Sequence, residues 1–442
     1  MVASSIMSVA ECNRRNACDA RRRLKIFEVI MKNEEKYDVI VVGAGAAGMF
    51  AAITAAQNGA FTAVIERNAK VGRKLAFTGK GRCNVTNDCD AQTVMKNLPK
   101  NPKFMFSALA ELPPAEIMAF FEREGVPLKT ERGNRVFPVS DRAYDIVDAL
   151  FNKMKKLGVK IITDRVTGIM TDNGAVTGVT AEHGTFTAAK VILATGGLSY
   201  PVTGSTGDGY EFAKSLGHTV TPIKPSLVPL ETRDGCAQMM GLSLKNVTLT
   251  IRESGRKKPV FSDMGEMLFT HFGISGPLVL SASSVMGEIT SGKYTAYIDF
   301  KPALDRETLD ARIMRDFDER KNMQLTNTLR KLLPETVIPA VLKNAGIDGA
   351  KQCNSVTKAE RTALIETVKA LPLEVTSYRP IDEAIITDGG ISVKEIDPKT
   401  MQSKLIRGLY FAGEMIDVTG FTGGFNLTVA FATGFAAGKN TY

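Results

Sequence analysis

The sequence predicts an α/β fold, a parallel sheet flanked by helices, interrupted by an inserted domain that is first β-rich and then helical. Three observations carry that prediction. Gly43, Gly45 and Gly48 stand in G-x-G-x-x-G spacing behind the apolar run DVIVV (38–42). The next strand, TAVIE, ends on an acid, Glu66. Two more units of strand, glycine loop and helix recur at 191–210 and 409–426.

DVIVV is apolar without alternation, as a strand buried on both faces must be. AAGMFAAITAAQNG after it reads as a helix closed by Asn58-Gly59. Gly43 permits the tight turn, Gly45 lets backbone approach a pyrophosphate, and Gly48 lets helix and strand pack closely. Eighteen residues past Gly48, Glu66 offers a carboxylate to ribose hydroxyls. Strand, glycines, helix, strand and acid together predict a bound dinucleotide.

Beyond Glu66 the chain leaves the rhythm of an NAD dehydrogenase and enters RNAKVGRKLAFTGKGRCNVTN (67–87), read as a basic, glycine-rich loop. Arg73, Lys74, Lys80 and Arg82 could neutralise phosphates or a flavin anion, and Gly72, Gly79 and Gly81 let backbone lie against a flat ring. Downstream, Val191 to Ala194 reads as a strand followed by glycine loops and a helix at Tyr210. Leu409 to Ala412 repeats the pattern, with a small-residue helix from about Asn426. Its first turn, after Gly423-Gly424, would aim free amides at a flavin pyrimidine ring.

The opening fingerprint, ATGG (194–197) and AGE (412–414) resemble the three signatures of the glutathione-reductase-like FAD-binding fold. TGKGRCNVTN (78–87), RVFPVS (135–140), GSTGDGY (204–210), GEMLFTHFGISGP (265–277) and TGGFN (422–426) are similar to the BaiN/YhiN type of bacterial flavoproteins, often labelled aminoacetone-oxidase-like. The likeness runs from Tyr37 to Lys439. It implies that Gly43, Gly45, Ala46, Ala47 and Gly48 hold the pyrophosphate, and that Glu66, beside Arg67, holds the adenosine ribose. Arg73, Lys74, Thr78, Gly79, Gly81, Arg82, Cys83 and Asn84 would line the flavin side, and Val166 would contact adenine through its backbone. Thr195 and Gly196, Gly413 and Glu414, and Gly424, Phe425, Asn426 and Leu427 complete the implied FAD site. Glu414 stands where the wider fold more often carries Asp.

The FAD domain is expected from two pieces, 37–199 and 377–442. The insertion, 200–376, is expected to be β-rich near 217–302, from SLVPLETR, LKNVTLTIRES and KYTAYIDFK, and helical over about 305–372. Residues 1–36 read as a disordered basic tail, with RRR at 21–23 and Met31 as a candidate initiator. A second glycine fingerprint with its own strand and acid is missing from the sequence, so NADH or NADPH is expected only as a transient electron donor.

The 442 residues carry a formal charge of +9 without any block of basic and aromatic residues. That favours an anionic cofactor or substrate over nucleic acid. No apolar run reaches the roughly 18 to 20 residues that cross a bilayer, so no membrane insertion is expected. Six cysteines at irregular spacing fit a reducing cytoplasm, and with three histidines no metal site is expected.

TGGLSYPVTGSTGDGY (195–210) also resembles a region of fumarate-reductase and ketosteroid-dehydrogenase flavoproteins. The narrower resemblance implies reduction of the Δ4 and Δ6 bonds of 3-oxo bile acids, hence a small apolar substrate with an anionic group. In such reductions hydride reaches the β carbon, donors stabilise the enolate, and an acid protonates the α carbon. Tyr200, His271, Arg135 and Arg82 are the candidates for those polar roles. The alternatives are an oxidase of a small amine or ketone, a flavin-binding module without turnover, and thiol–disulfide exchange through Cys83 and Cys89, whose five-residue separation departs from the redox-active pattern.

Overall fold

The structure, a computed structural model, describes residues 35–233 and 236–441. The expected tail therefore lies outside the described residues up to position 34, and its last two positions, 35 and 36, already belong to the first strand, Glu35–Val42.

That strand is the centre of a seven-stranded sheet. Thr62–Glu66 and Thr185–Leu193 flank it, both parallel, and Lys160–Thr163 extends the Thr62–Glu66 side. Thr185–Leu193 is shared lengthwise. Its first half pairs antiparallel with Ala175–Ala181, itself followed by Val166–Asp172, and its second half pairs parallel with Leu409–Phe411. Leu409–Phe411 thus brings the C-terminal segment back beside the first strand's neighbour.

Two apolar helices cover this sheet. Ala46–Gln57 and the C-terminal helix Phe425–Lys439 cross closely because small residues face each other. A Cβ on Gly434 would strike Ala47 O, and one on Gly438 would strike Ala51 O. Any larger residue at either position would push the helices apart and move their N-termini off a common target.

The second unit has its own core. Leu230–Thr232, Gly273–Ser275, Phe261–Phe269, Ser243–Glu253, Tyr294–Asp299 and Leu371–Tyr378 form a closed barrel in that order. Helices Arg306–Glu319, Leu325–Leu329, Ile338–Ala345 and Lys358–Lys369 lie in sequence between its last two strands and share its core. Two boundaries differ from expectation. The strand Leu371–Tyr378 closes the barrel beside Tyr294–Asp299, so the helical stretch ends at Lys369 and the second unit runs past the expected boundary at 376 to Tyr378. Asp208–Ser215 belongs to the first core through Tyr210 and Ala213, so the second unit begins about twenty-five residues later than residue 200.

The chain crosses between the units twice, and the crossings pair with each other: Lys224–Ser226 runs antiparallel to Ile386–Asp388. Asp388 is 3% exposed and lies 3.2 Å from both Lys100 and Lys224. Burial works against its charge, yet Lys100, Thr419 and Lys224 more than offset it, and the carboxyl sits below its ordinary range. Among the described residues no single helix is long and apolar enough to cross a membrane, although the bent pair Pro102–Glu111 and Pro114–Arg123 passes that test by length and composition together.

Candidate functional site

The three expected signatures, separated by up to 370 residues, border one cavity of about 1020 Å³ between the two units. Its floor is the first turn. Gly43 has φ 97° and Gly48 lies so close beneath it that a Cβ there would meet Gly43 O, while a Cβ on Gly45 would meet nothing within 4 Å. The backbone is packed on its protein side and open on its cavity side at Gly45, which is the arrangement a pyrophosphate needs.

Glu66 is 9% exposed. Its Oε2 accepts from Ala44 N at 2.8 Å, and its Oε1 from Asn68 N and Asn68 Nδ2 at 2.9 and 2.7 Å. Each carboxylate oxygen keeps lone-pair capacity for a further donor. Asn68 in turn donates to Thr203 O and accepts from Arg73 Nη1. Asn68 was not singled out in the sequence; a polar residue two places past the acid was its only signal.

Two helices begin at this cavity, and neither N-terminus has a side-chain cap or an acid in its first turn. Helix starts leave their first amides unpaired and carry a partial positive charge, so both favour an anionic ligand. Gly424, Phe425, Asn426 and Leu427 all border the cavity. The Asn426 side chain is committed elsewhere, exchanging hydrogen bonds with the Gly420 backbone at 2.8 Å, so only its main chain is offered. Asn84 Oδ1 is buried with no hydrogen-bond partner, and Asn84 lines the same cavity. An unmatched acceptor, an open glycine and two uncapped helix starts fit a ligand with phosphates and ring N–H or hydroxyl donors.

The expected 67–87 loop is in part a helix. Arg73–Gly81 begins helical and breaks at Thr78, where ψ is 150°, before Gly79 and Lys80 turn left-handed. Thr78, Gly79, Arg82 and Asn84 line the cavity, as do Arg67, Arg73, Lys74, Val166, Thr195, Gly196, Gly413 and Glu414. Lys74 Nζ is paired with Glu414 Oε2 at 2.5 Å and donates to Ser199 Oγ, and Glu414 also accepts from Thr387 N. One carboxylate therefore ties the flavin-side helix, the second signature, the third signature and the second crossing strand together. Arg82 is held by Glu131 and Asp141 and stacks on Phe137, so its charge is already balanced.

Several expected site residues lie elsewhere. Gly81 and Cys83 do not border the cavity: Gly81 is exposed on the outer turn, and Cys83 is fully buried behind it. Burial pushes the Cys83 thiol up to about 12 and the Cys89 thiol up to about 11, which leaves both protonated and poor as redox nucleophiles at neutral pH. Tyr200 is held left-handed at φ 52° before Pro201 and does not line the cavity. His271 is exposed in the turn after Phe261–Phe269, its ring edge-on to Phe272, and is also off the wall. Arg135 alone of the three proposed catalytic groups borders it.

Arg135 belongs to a hairpin, Leu128–Glu131 and Arg135–Pro138, joined by Arg132-Gly133-Asn134. Asn87 Nδ2 donates to Gly133 O and to Gly423 O, both at 3.0 Å, which fixes the turn beside the C-terminal glycines. Glu266, Pro277 and Leu280 of the second unit also line the cavity, as do Leu227 and Phe421. Apart from Glu266 these five are apolar. Asp164, which also lines the cavity, pairs with His183 at 2.9 Å.

A family model described as HI0933-like protein Rossmann domain matches residues 37–440. The chain belongs to this family. It has the Rossmann-type FAD-binding fold and is an FAD-dependent oxidoreductase. It is 31% identical over 406 residues to the 3-dehydro-bile acid delta(4,6)-reductase of Clostridium scindens, covering 90% of this chain and 97% of that one. It is also 31% identical over 411 residues to the ribosomal RNA dihydrouridine synthase of Escherichia coli, covering 92% and 98%. Among solved structures, the 3-ketosteroid delta1-dehydrogenase of Sterolibacterium denitrificans matches with a TM-score of 0.50 at 14% identity, over 92% of this chain and 99% of that one. That match concerns the fold alone.

Proposed function

We propose that this chain reduces a carbon–carbon double bond conjugated to a carbonyl, with the Δ4 and Δ6 bonds of 3-oxo bile acids as its best-supported targets and NADH or NADPH as a transient electron donor. FAD, when bound, supplies the hydride chemistry. The observation that carries the reading is that the apolar side chains Leu227, Pro277, Leu280 and Phe421 border the same cavity as the uncapped start of the C-terminal helix. Those side chains would exclude water and pack apolar rings, while the amides of Phe425, Asn426 and Leu427 favour negative charge beside them. Glu266 is the carboxylate that the barrel unit brings to the cavity, and proton supply falls to it or to solvent.

The names of the two full-length relatives support the reaction class jointly. A delta(4,6)-reductase of a 3-oxo compound and a dihydrouridine synthase both hydrogenate a ring double bond conjugated to a carbonyl. Identity of 31% to the Escherichia coli relative, and of 30% to a ribosomal RNA dihydrouridine synthase of Haemophilus influenzae, favours uridine in RNA as a second reading. The second unit holds a barrel rather than another parallel nucleotide-binding sheet among the described residues, so NAD(P)H would have to reach the same cavity and leave. Among the described residues Cys83, Cys89 and Cys353 are free thiols, which is compatible with a cytoplasmic setting.

The test is anaerobic. Protein reduced by NADH or NADPH is mixed with a 3-oxo-4-ene bile acid, a uridine-containing ribosomal RNA fragment or air, following flavin absorbance and product mass. Re-oxidation by the enone, with a product two mass units heavier, is expected. Re-oxidation by air alone would contradict the reading, and re-oxidation by RNA alone would move it to uridine.

A further inference from the structure

The hairpin that borders the cavity carries a charge that no carboxylate among the described residues answers. Arg135 Nε donates to Arg132 O at 3.0 Å, which anchors the side chain and leaves both terminal nitrogens of the guanidinium uncommitted. The other cations of this end are matched. Arg82 is held by Glu131 and Asp141, Lys129 lies 2.8 Å from Asp141, and Arg132 lies 3.8 Å from Glu266. Asp88, the further carboxylate near the turn, accepts from Thr130 Oγ1 and does not border the cavity. The remaining cavity-lining cations without a carboxylate partner, Lys70, Arg73 and Lys80, belong to the 70–80 segment that the nucleotide site uses.

The position of this free fork is fixed from two sides. Asn87 ties the hairpin turn to Gly423, next to the start of the C-terminal helix, and Arg132 reaches across to Glu266 on the barrel. Arg135 therefore stands where the flavin end of the cavity meets the apolar wall. A pre-anchored guanidinium with two parallel N–H donors is suited to a planar carboxylate, bound through both oxygens.

We propose that Arg135 is a specificity-determining residue that reads a single carboxylate on the substrate, at a distance from the reacting double bond. The ligand class is a rigid apolar enone bearing one terminal carboxylate. A local excess of one unmatched cation suits a monoanion better than a polyanion, since binding a nucleic-acid backbone draws on several cations at once. This rests on the enone-reductase reading, and the experiment separates the two.

FAD-loaded protein is titrated with a 3-oxo-4-ene sterol carrying a side-chain carboxylate and with its methyl ester, reading the flavin spectrum for Kd and single-turnover re-oxidation for rate. Wild type is expected to bind the acid at least tenfold tighter than the ester. In Arg135→Met the acid-to-ester ratio collapses towards one, and Arg135→Lys restores part of it. Flavin content per chain confirms that each variant is folded. An unchanged ratio in Arg135→Met overturns this proposal while leaving the reaction class standing, provided the ester still re-oxidises the flavin. If neither sterol binds, or if an RNA oligonucleotide competes with the acid in wild type, the assigned ligand class is wrong.

Discussion

The two units of this protein are specified by different means. In the nucleotide-binding unit, backbone must approach backbone or ligand at a few fixed points, and glycine is the residue that permits it: Gly48 under Gly43, Gly434 against Ala47, Gly438 against Ala51. In the barrel unit the constraint is spread over alternating apolar side chains, and closure joins Leu230–Thr232 to Leu371–Tyr378 across about 140 residues. One unit is defined by points, the other by a surface. The first should lose its ligand when a single methyl is added, and the second should lose stability when volume is removed.

The largest effect is expected in the barrel. Phe269 is fully buried there, and Phe269→Ala should cost about 4 kcal/mol of unfolding free energy by urea titration, with FAD affinity changed less than threefold. If flavin binding fell in parallel, the two units would not be separable. Gly48→Ala should cost slightly less, about 3 kcal/mol, because its new methyl collides with Gly43 O and lifts the helix from the strand. Here the flavin should be lost, and retention of yellow colour would show that the turn tolerates the shift.

Between the units, Asp388 holds Lys100 and Lys224 at the paired crossings. Its carboxyl is depressed in the folded state, so its stabilisation is complete at neutral pH. It is lost as pH falls from about 4 through the lower folded value. Asp388→Asn should destabilise by about 3 kcal/mol at pH 7, taking the buried carboxylate from Lys224 and leaving Lys100 with Asp417 alone, and the difference from wild type should shrink towards pH 3. A difference independent of pH would assign the effect to packing. The smallest expected change is Glu66→Gln, which weakens FAD about tenfold, or about 1.4 kcal/mol, through loss of charge-assisted hydrogen bonds.

The same contrast explains what the sequence disclosed. TAVIE is a strand over the expected five residues, and the helices expected near Tyr210 and Asn426 begin at Asp208 and Phe425, because glycines mark where each loop must turn. The return of Leu371–Tyr378 to the barrel was hidden, since its only requirement is a partner strand far away in sequence. At the site, backbone-defined positions such as Gly45 and Gly424 were legible. Side-chain pairings were not: Arg82 has the charge a phosphate needs, but Glu131 and Asp141 hold it through contacts that spacing cannot reveal. Tyr200 and His271 share that fault, being chemically suitable residues whose loops carry them off the cavity wall.

Convergence of the three separated glycine segments on one flavin is tested most directly by titrating FAD into flavin-stripped wild-type protein and into Gly424→Val. The Gly424 Cβ position collides with the Thr86 backbone. Saturation at one FAD per chain in wild type and none in the variant is the predicted result. A wild-type protein that stays colourless, or a variant that binds equally well, would contradict it.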